Sequence, residues 1–463
     1  MTNFVEDYHV TGATSRGSAP EARRTHRTPS SEVHRMNSVS PLPFDLGLSP
    51  GPVPDHRPEP SVHWHEMETA TAHLDPPYAV LHRDALARNA HDLLARAQGT
   101  PLRVASKSVR IRAVLEAVLA LPGYQGILAF TLPEALWLAE SGFDDIVVAY
   151  PSADRGALRR LAADKALTAA ITIMIDDAAH LDLVDSVAAP GARAEVRVAL
   201  DLDASLLQPQ PDGSTRRAGV HRSPLHSPAQ LADLARQVTG RAGFRLAGVM
   251  SYEAQIAGVT DDGPGAARIR EMKRASVAEL RARRPEAVAL VRDIAHAAGH
   301  DLDFVNGGGT GSVETTREDP SVTEIAAGSG LLGPHLFDHY SAFTPEPAAA
   351  FALSVVRRPS PDVATLLGGG WIASGSPGPD RLPQPVWPAG LDYTPNEGAG
   401  EVQTPLRGDA ARSLRPGDRV WMRHTKAGEL AERVDTVHIV GSTGGGEILT
   451  SVPTYRGEGR CFL

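Results

Sequence analysis

The chain of 463 residues has a single cysteine, Cys461, close to its end. One thiol excludes a disulfide within the chain and a cysteine zinc site. No run approaches the roughly eighteen apolar residues that cross a bilayer. The first residues lack the charged-then-apolar pattern of a secretory signal. Positive charge is not in excess: the formal net charge is −9, aromatics are 5% of residues, and no basic stripe is interleaved with them. Nucleic-acid binding is therefore not indicated. These absences predict a soluble cytoplasmic protein with no membrane and no nucleic-acid partner.

What is present is a chain with 42% apolar residues, enough for a large core and two or three domains. Residues 1–70 are rich in Ser, Pro, His, Arg and Glu without a sustained apolar period, and read as a disordered extension. Ordered sequence begins near Pro77, with Tyr78–His82 as a strand and Asp84–Ala97 as a helix. Apolar runs of strand length follow at Leu102–Ala105, Gly126–Phe130, Ile146–Tyr150, Ala170–Ile175, Val196–Leu202, Leu246–Ser251, Phe304–Asn306 and Glu324–Ala327. Helical segments lie between them. Ile111, Val114, Leu115 and Val118 keep an amphipathic spacing, and Thr131-Leu-Pro-Glu134 and Ser227-Pro-Ala-Gln230 are helix-start signals, with Gly142 and Gly240 at the stops. Eight strand–helix alternations over roughly 240 residues predict a (β/α)8 TIM-type barrel across residues 77–341. A doubly wound open sheet is the rival, but the first turn lacks a glycine-rich dinucleotide fingerprint. From residue 342 to 463, Pro, Gly and short β-like runs replace helical periodicity, which predicts a C-terminal all-β domain. Within it Gly368–Gly400 reads as loop.

The active site of such a barrel lies at the carboxyl ends of its strands, with a phosphate site commonly in the loops after the seventh and eighth. The seventh strand here runs into Asn306-Gly-Gly-Gly-Thr-Gly-Ser312 and the eighth into Gly328-Ser-Gly330. Glycine lets backbone N–H groups approach an anion, and Thr310, Ser312 and Ser329 add hydroxyl donors. A glycine run alone is equally a tight turn; two at the expected strand ends are a stronger sign. Lys107 ends the first strand on the same rim, before a helix that opens near Arg110. A helix start disfavours a structural cation. An amine beside a phosphate site suits a Schiff base, and the lysine-plus-phosphate pairing is what pyridoxal 5'-phosphate (PLP) requires. Asp201, Asp203, Tyr252, Glu253 and Gln255 are further polar groups at strand ends, with Arg217, His221 and His226 in a loop. Tyr252 can stack on a pyridine ring or move a proton; Glu253 is a base or a rim carboxylate.

These residues resemble the fold-type III PLP enzymes built on the alanine racemase N-terminal barrel, in the D-threonine aldolase and D-serine dehydratase branch. The likeness spans roughly Pro77 to Val440. It is carried by Arg103…Lys107, Arg217-Ala-Gly-Val220, Gly248-Val-Met-Ser-Tyr-Glu253, Gly307-Gly-Gly-Thr310 and Ala327-Gly-Ser-Gly330. It implies that Lys107 carries PLP, that Thr310, Gly328 and Ser329 hold the phosphate, that Gly308 and Gly309 shape the loop, and that Tyr252 and Arg217 belong to the cofactor pocket. The branch has histidines two residues either side of the lysine, where this chain has Ala105 and Val109. It also has a metal pair of His-x-Cys or His-x-Asp type, where this chain has His424-Thr-Lys426. A histidine beside an ammonium is a poor divalent site, so no metal is expected. The resemblance implies a lyase acting on a D-amino acid, β-hydroxy in character, with Lys107 and Tyr252 catalytic, working as a homodimer. An amino-acid racemase and a low-turnover PLP-binding homeostasis protein are the alternatives. The racemase is disfavoured because Ile325-Ala-Ala327 lacks the arginine, and Ile111 replaces the tyrosine, that alanine racemases carry.

Overall fold

The computed structural model describes residues 46–48, 59–442 and 445–463. In chain order the strands are β1 (Tyr78–His82), β2 (Leu102–Ala105), β3 (Tyr124–Ala129), β4 (Ile146–Val148), β5 (Ile171–Ile175), β6 (Val196–Asp201), β7 (Leu206–Pro209), β8 (Thr215–Ala218), β9 (Phe244–Ser251), β10 (Phe304–Gly307), β11 (Glu324–Ala327), β12 (Ala349–Ser360) and β13 (Val363–Leu367). They continue as β14 (Gln384–Trp387), β15 (Asp392–Tyr393), β16 (Gln403–Arg407), β17 (Arg419–Arg423), β18 (Thr436–Gly441) and β19 (Glu447–Pro453). Among the described residues, no helix is long and apolar enough to cross a membrane.

The strands β10-β11-β2-β3-β4-β5-β6-β9 close into a parallel barrel, so each of the eight apolar runs expected from the sequence is a barrel strand. The helix starts are chemically as expected. The Thr131 side chain accepts from the Glu134 N–H, and Ser227 forms a reciprocal capping box with Gln230. Inside the barrel, Val147, Met174, Ala199, Met250 and Phe304 pack as one apolar layer with Leu128. Side chains alternate along a strand, so two residues further on Phe130, Ala149, Asp176, Asp201, Tyr252 and Asn306 turn toward the upper rim. Beneath them runs a buried ion pair. Arg103 Nε and Nη2 donate to the two Glu324 oxygens at 2.6 and 2.8 Å, and Asn306 Nδ2 donates to the same carboxylate at 2.8 Å.

The second sheet has nine strands: β15-β16-β13-β12-β1-β18-β19, with β17 paired to β12 and β14 to β17. Three sequence expectations change here. First, β1, placed in the barrel by a boundary at residue 77, pairs with β12 and β18 in this sheet. All five of its residues are buried, so its pattern is that of any doubly covered strand, and only its partners assign it. Second, part of the expected N-terminal extension is ordered: Pro60–Ala70 is a helix. Trp64, Met67 and Ala70 pack on Tyr78, Val80 and Trp421, and Glu68 accepts from the Trp421 indole at 2.7 Å. A stripe this short among His and Glu gives little periodic signal, and the sheet beneath supplies the stability. Leu46 and Leu48 also lie in the core; residues 1–45 and 49–58 of the expected extension fall outside the described residues. Third, the stretch Gly368–Gly400, read as loop, contains β14 and β15.

Candidate functional site

A cavity of about 440 Å³ opens at the carboxyl ends of the barrel strands, between barrel and sheet. Lys107 lines it from a 3-10 turn, Ser106–Ser108, directly after β2; the helix beyond begins at Arg112, two residues later than expected. Lys107 Nζ donates to the Tyr150 hydroxyl at 3.3 Å. The Lys107 carbonyl accepts from Arg110 Nε at 2.9 Å, and from the sheet side a Cβ on Gly428 would stand 2.4 Å from that same oxygen. Gly428 is therefore needed for the close approach of the β domain to the lysine turn.

Two loops face Lys107. Gly308, Gly309 and Thr310 follow β10, and Gly328 and Ser329 follow β11; all five line the cavity, as expected. The loops are tied together, since the Gly330 N–H donates to Thr310 Oγ1 at 3.2 Å and Ser329 Oγ lies 2.9 Å from Ser108 Oγ. Gly308 has φ +77°, in the left-handed region. A Cβ on Gly328 would lie 2.4 Å from the Ala105 carbonyl oxygen, and one on Gly309 would lie 2.8 Å from Ala257 Cβ. Bare backbone with hydroxyls beside it is a donor set for a phosphate, and an amine across the cavity suits an aldehyde. The residues fit PLP.

Beneath these loops lies a second buried ion network. Arg284, on the helix Ala266–Ala297, donates to Asp319 at 2.8 Å, to Glu253 at 2.6 Å and to Ser251 at 3.0 Å. The other Glu253 oxygen accepts from Thr316 Oγ1 at 2.7 Å, which contacts Ser312 Oγ at 3.0 Å. Glu253 is 1% exposed and committed to Arg284, so it is neither a free base nor a rim carboxylate.

Tyr252 lines the cavity as expected, and burial pushes its hydroxyl above the usual 10. Arg217, grouped with the cofactor by the sequence, does not line the cavity. It sits on the β7–β8 hairpin and is captured by Asp203 at 2.7 Å and Ser205 at 3.1 Å. Five residues on, Arg222 takes the cavity position instead, its guanidinium carbon 4.7 Å from the Tyr252 ring centroid and 5.2 Å from that of Tyr150. The sequence offered no signal separating these two arginines. Tyr150 was also overlooked, although it closes the apolar run Ile146–Tyr150 at the catalytic rim. Burial pushes its hydroxyl up, but the charges of Lys107 and then Arg222 outweigh that and hold it below 10.

Three other candidate groups are accounted for. Burial, helped by Asp176, pushes the Asp201 carboxyl up to about 7. His226 Nε2 lies 2.9 Å from the Ser205 carbonyl oxygen, and His221 is exposed. None of the three lines the cavity.

From the β domain come Lys426 and Glu429. Glu429 accepts from the backbone N–H groups of Thr425, Lys426 and Ala427 at 2.9, 2.6 and 2.8 Å. His424 is fully buried, does not line the cavity, and has its imidazole pushed down to about 4 by burial. Lys426, two residues on, donates but cannot ligate while charged. Among the described residues, no three His, Cys, Asp or Glu side chains cluster so as to hold a metal ion. The residues present do not fit a divalent metal.

Comparison with known proteins gives one consistent picture. The family described as alanine racemase, N-terminal domain, matches residues 81–328. A D-threonine aldolase from Arthrobacter sp is 27% identical over 331 residues, covering 70% of this chain and 78% of the relative. The crystal structure of D-threonine aldolase from Filomicrobium marinum superposes with a TM-score of 0.66 at 19% identity, covering 83% of this chain and 96% of that one. D-threo-3-hydroxyaspartate dehydratase from Delftia sp. HT23 does so with a TM-score of 0.61 at 21% identity, covering 82% and 97%. The two structural likenesses speak for the fold.

Proposed function

Because the chain belongs to the alanine racemase N-terminal domain family, we propose that it is a PLP-dependent lyase acting on a β-hydroxy D-amino acid. The observation that carries this is a single geometry: Lys107 faces two glycine-rich loops across one cavity. The names of the D-threonine aldolase and D-threo-3-hydroxyaspartate dehydratase relatives support it.

Lys107 would hold the cofactor aldehyde. Thr310, Gly328 and Ser329 would hold its phosphate, with Gly308 and Gly309 giving close backbone access. When bound, the pyridoxal ring takes up the negative charge left at Cα as a bond there breaks. Lys107 Nζ is the group that carries a proton at the reacting carbon. Tyr150, hydrogen-bonded to it and favoured toward its anionic form, passes that proton on. Tyr252, kept neutral by burial, offers a hydroxyl donor in the same cavity. Gly428 and Lys426 cover the cavity and limit water. No divalent metal is assigned to the reaction. Whether the β-substituent leaves by elimination or by Cα–Cβ cleavage is read from the product: ammonia and a keto acid, or glycine and an aldehyde. The enzyme is assigned to the cytoplasm and to a homodimer, the latter checked by sedimentation.

The test uses purified protein. A visible absorbance band from lysine-bound PLP is expected in the wild type and absent in Lys107→Ala. D-Serine, D-threonine and D-alanine are then screened for ammonia, glycine or L-isomer. No band in the wild type overturns the proposal. Cα deuterium exchange without ammonia or aldehyde assigns a racemase instead, and a band without turnover of any amino acid assigns cofactor storage.

A further inference from the structure

The turn that carries Lys107 closes on a strained residue. The Val109 and Arg110 N–H groups both donate to the Ser106 carbonyl at 2.9 Å. Arg110 then turns the chain with φ +54°, in the left-handed region. That conformation is unfavourable for a residue with a Cβ and persists only where neighbours enforce it. Here both its backbone and its side chain are held. The Arg110 carbonyl accepts from the Tyr455 N–H at 2.9 Å. Its Nε donates to the Lys107 carbonyl at 2.9 Å, and its guanidinium pairs with Glu432 while lying 4.9 Å from the centroid of the Phe130 ring.

Tyr455 belongs to a segment, residues 454–462, that follows β19 in the second sheet. The segment is anchored on that side. Thr454 Oγ1 donates to the Val434 carbonyl at 2.7 Å, and Gly457 leaves no room for a Cβ against the Asp435 carbonyl. From there it reaches the barrel. Tyr455, 1% exposed, meets the Trp137 ring edge-on at 4.8 Å and brings its hydroxyl beside Ser106 and Glu134. Glu458 accepts from Arg112, the first residue of the helix beyond the turn, at 2.7 Å. Phe462 meets the edge of Phe130, which lines the cavity. Burying rings would need only Trp137 and Phe130. The polar contacts go instead to Ser106, Arg110 and Arg112, which bracket Lys107 on both sides.

We infer that Arg110 and Tyr455 are positioning residues for Lys107. The segment locks Arg110 in its left-handed conformation and so fixes the direction in which the amine leaves the turn, toward the glycine loops across the cavity. The inference rests on the reading of Lys107 as the Schiff-base lysine. In cofactor capture the Lys107 amine adds to the aldehyde carbon, and the aldehyde oxygen leaves as water. Such an attack needs one line of approach, and a displacement of about 1 Å can cost about a hundredfold in rate. A lysine amine on its flexible stem has no other means of being aimed than the turn beneath it.

PLP and pyridoxine 5'-phosphate separate positioning from folding. The second carries a hydroxymethyl group where PLP has its aldehyde, so it can enter the same loops but cannot bond to lysine. Each is added to the full-length protein stripped of cofactor. Growth of the absorbance band gives the capture rate for PLP, and calorimetry gives the affinity for pyridoxine 5'-phosphate. Arg110→Met and Tyr455→Ala are each expected to slow capture by about tenfold or more, with pyridoxine 5'-phosphate affinity held within about twofold. Tyr455→Phe, which keeps the ring and the N–H, should recover most of the rate. Arg110 stands at the cavity edge, so its variant gives the answer even if Tyr455→Ala does not fold. Unchanged capture in Arg110→Met, or equal losses for the two ligands, overturns the inference while the Schiff-base reading stands. A wild type without a band overturns both. Slowed capture as expected, with no D-amino acid turned over by the wild type, upholds the positioning and overturns the lyase reading alone.

Discussion

The cavity wall after β10 and β11 and the wall from the β domain face the same space but are made of different materials. The first is backbone: glycines, hydroxyls and, below them, the Arg284 network, in which one guanidinium holds two buried carboxylates and every charged group has a partner inside the protein. The second is side chain: Lys426 hangs from a turn pinned by Glu429, with a long bond to Ser374 and no carboxylate partner among the described residues. A matched internal network gives a fixed anchor, suited to a cofactor that never changes. An unmatched cation on a long stem is adaptable, suited to a substrate that comes and goes. The contrast also says which wall stability depends on.

That dependence can be broken first at its strongest point. Arg284→Met leaves Glu253 and Asp319 buried without their cation, and is expected to cost about 3–5 kcal/mol of unfolding free energy; Lys426→Met should cost under about 1 kcal/mol. Denaturant midpoints compare the two, and equal losses would erase the distinction between the walls.

Glu134, on the helix after β3, gives the next largest effect. It accepts from the Phe130 N–H at 2.7 Å, interacts with the Ser106 and Tyr455 hydroxyls, and has its carboxyl pushed up by burial from 4.5 to about 7. The folded value exceeds the unfolded one, so its contribution is complete below about 4.5 and is lost as pH rises through about 7. Wild-type stability should therefore fall relative to Glu134→Gln by roughly 3 kcal/mol across that window. Parallel pH–stability curves for the two proteins would contradict it.

Gly328→Ala tests the backbone wall directly. The new Cβ meets the Ala105 carbonyl at 2.4 Å, so the loop must move, and PLP affinity should drop by about thirtyfold, or roughly 2 kcal/mol. Equilibrium dialysis reads this. The smallest effect is expected at Tyr150→Phe, which removes the partner of Lys107 without touching either wall. We expect kcat about tenfold lower with the absorbance band retained. An unchanged kcat would leave Lys107 working alone.

Much of this was readable in advance where the physics is local. Barrel strands announce themselves as apolar runs, caps as Ser or Thr before Glu or Gln, and the phosphate loops as glycines at strand ends. Lys107, Thr310, Gly328 and Ser329 meet in one cavity because all follow from strand-end position. What escaped depended on partners distant in sequence. Arg217 and Arg222 are chemically alike, and Asp203 captures one of them across the hairpin. Glu253 looked like a rim group until Arg284 reached it from a helix thirty-one residues away. The helix Pro60–Ala70 has a stripe too short to stand alone and forms on the sheet beneath it.

By itself the sequence determined the barrel, the order of its eight strands, and the lysine and glycine loops on its rim, since alternation and turn chemistry are written residue by residue. Tertiary structure alone decided that β1 leaves the barrel to join β12 and β18, which arginine faces the cavity, and that Lys426 stands there without a carboxylate partner among the described residues. The physical reason is common to all three. A buried strand or a charged side chain carries no mark of its partner; hydrogen-bond pairing and charge neutralisation are settled by whatever the folded chain brings alongside.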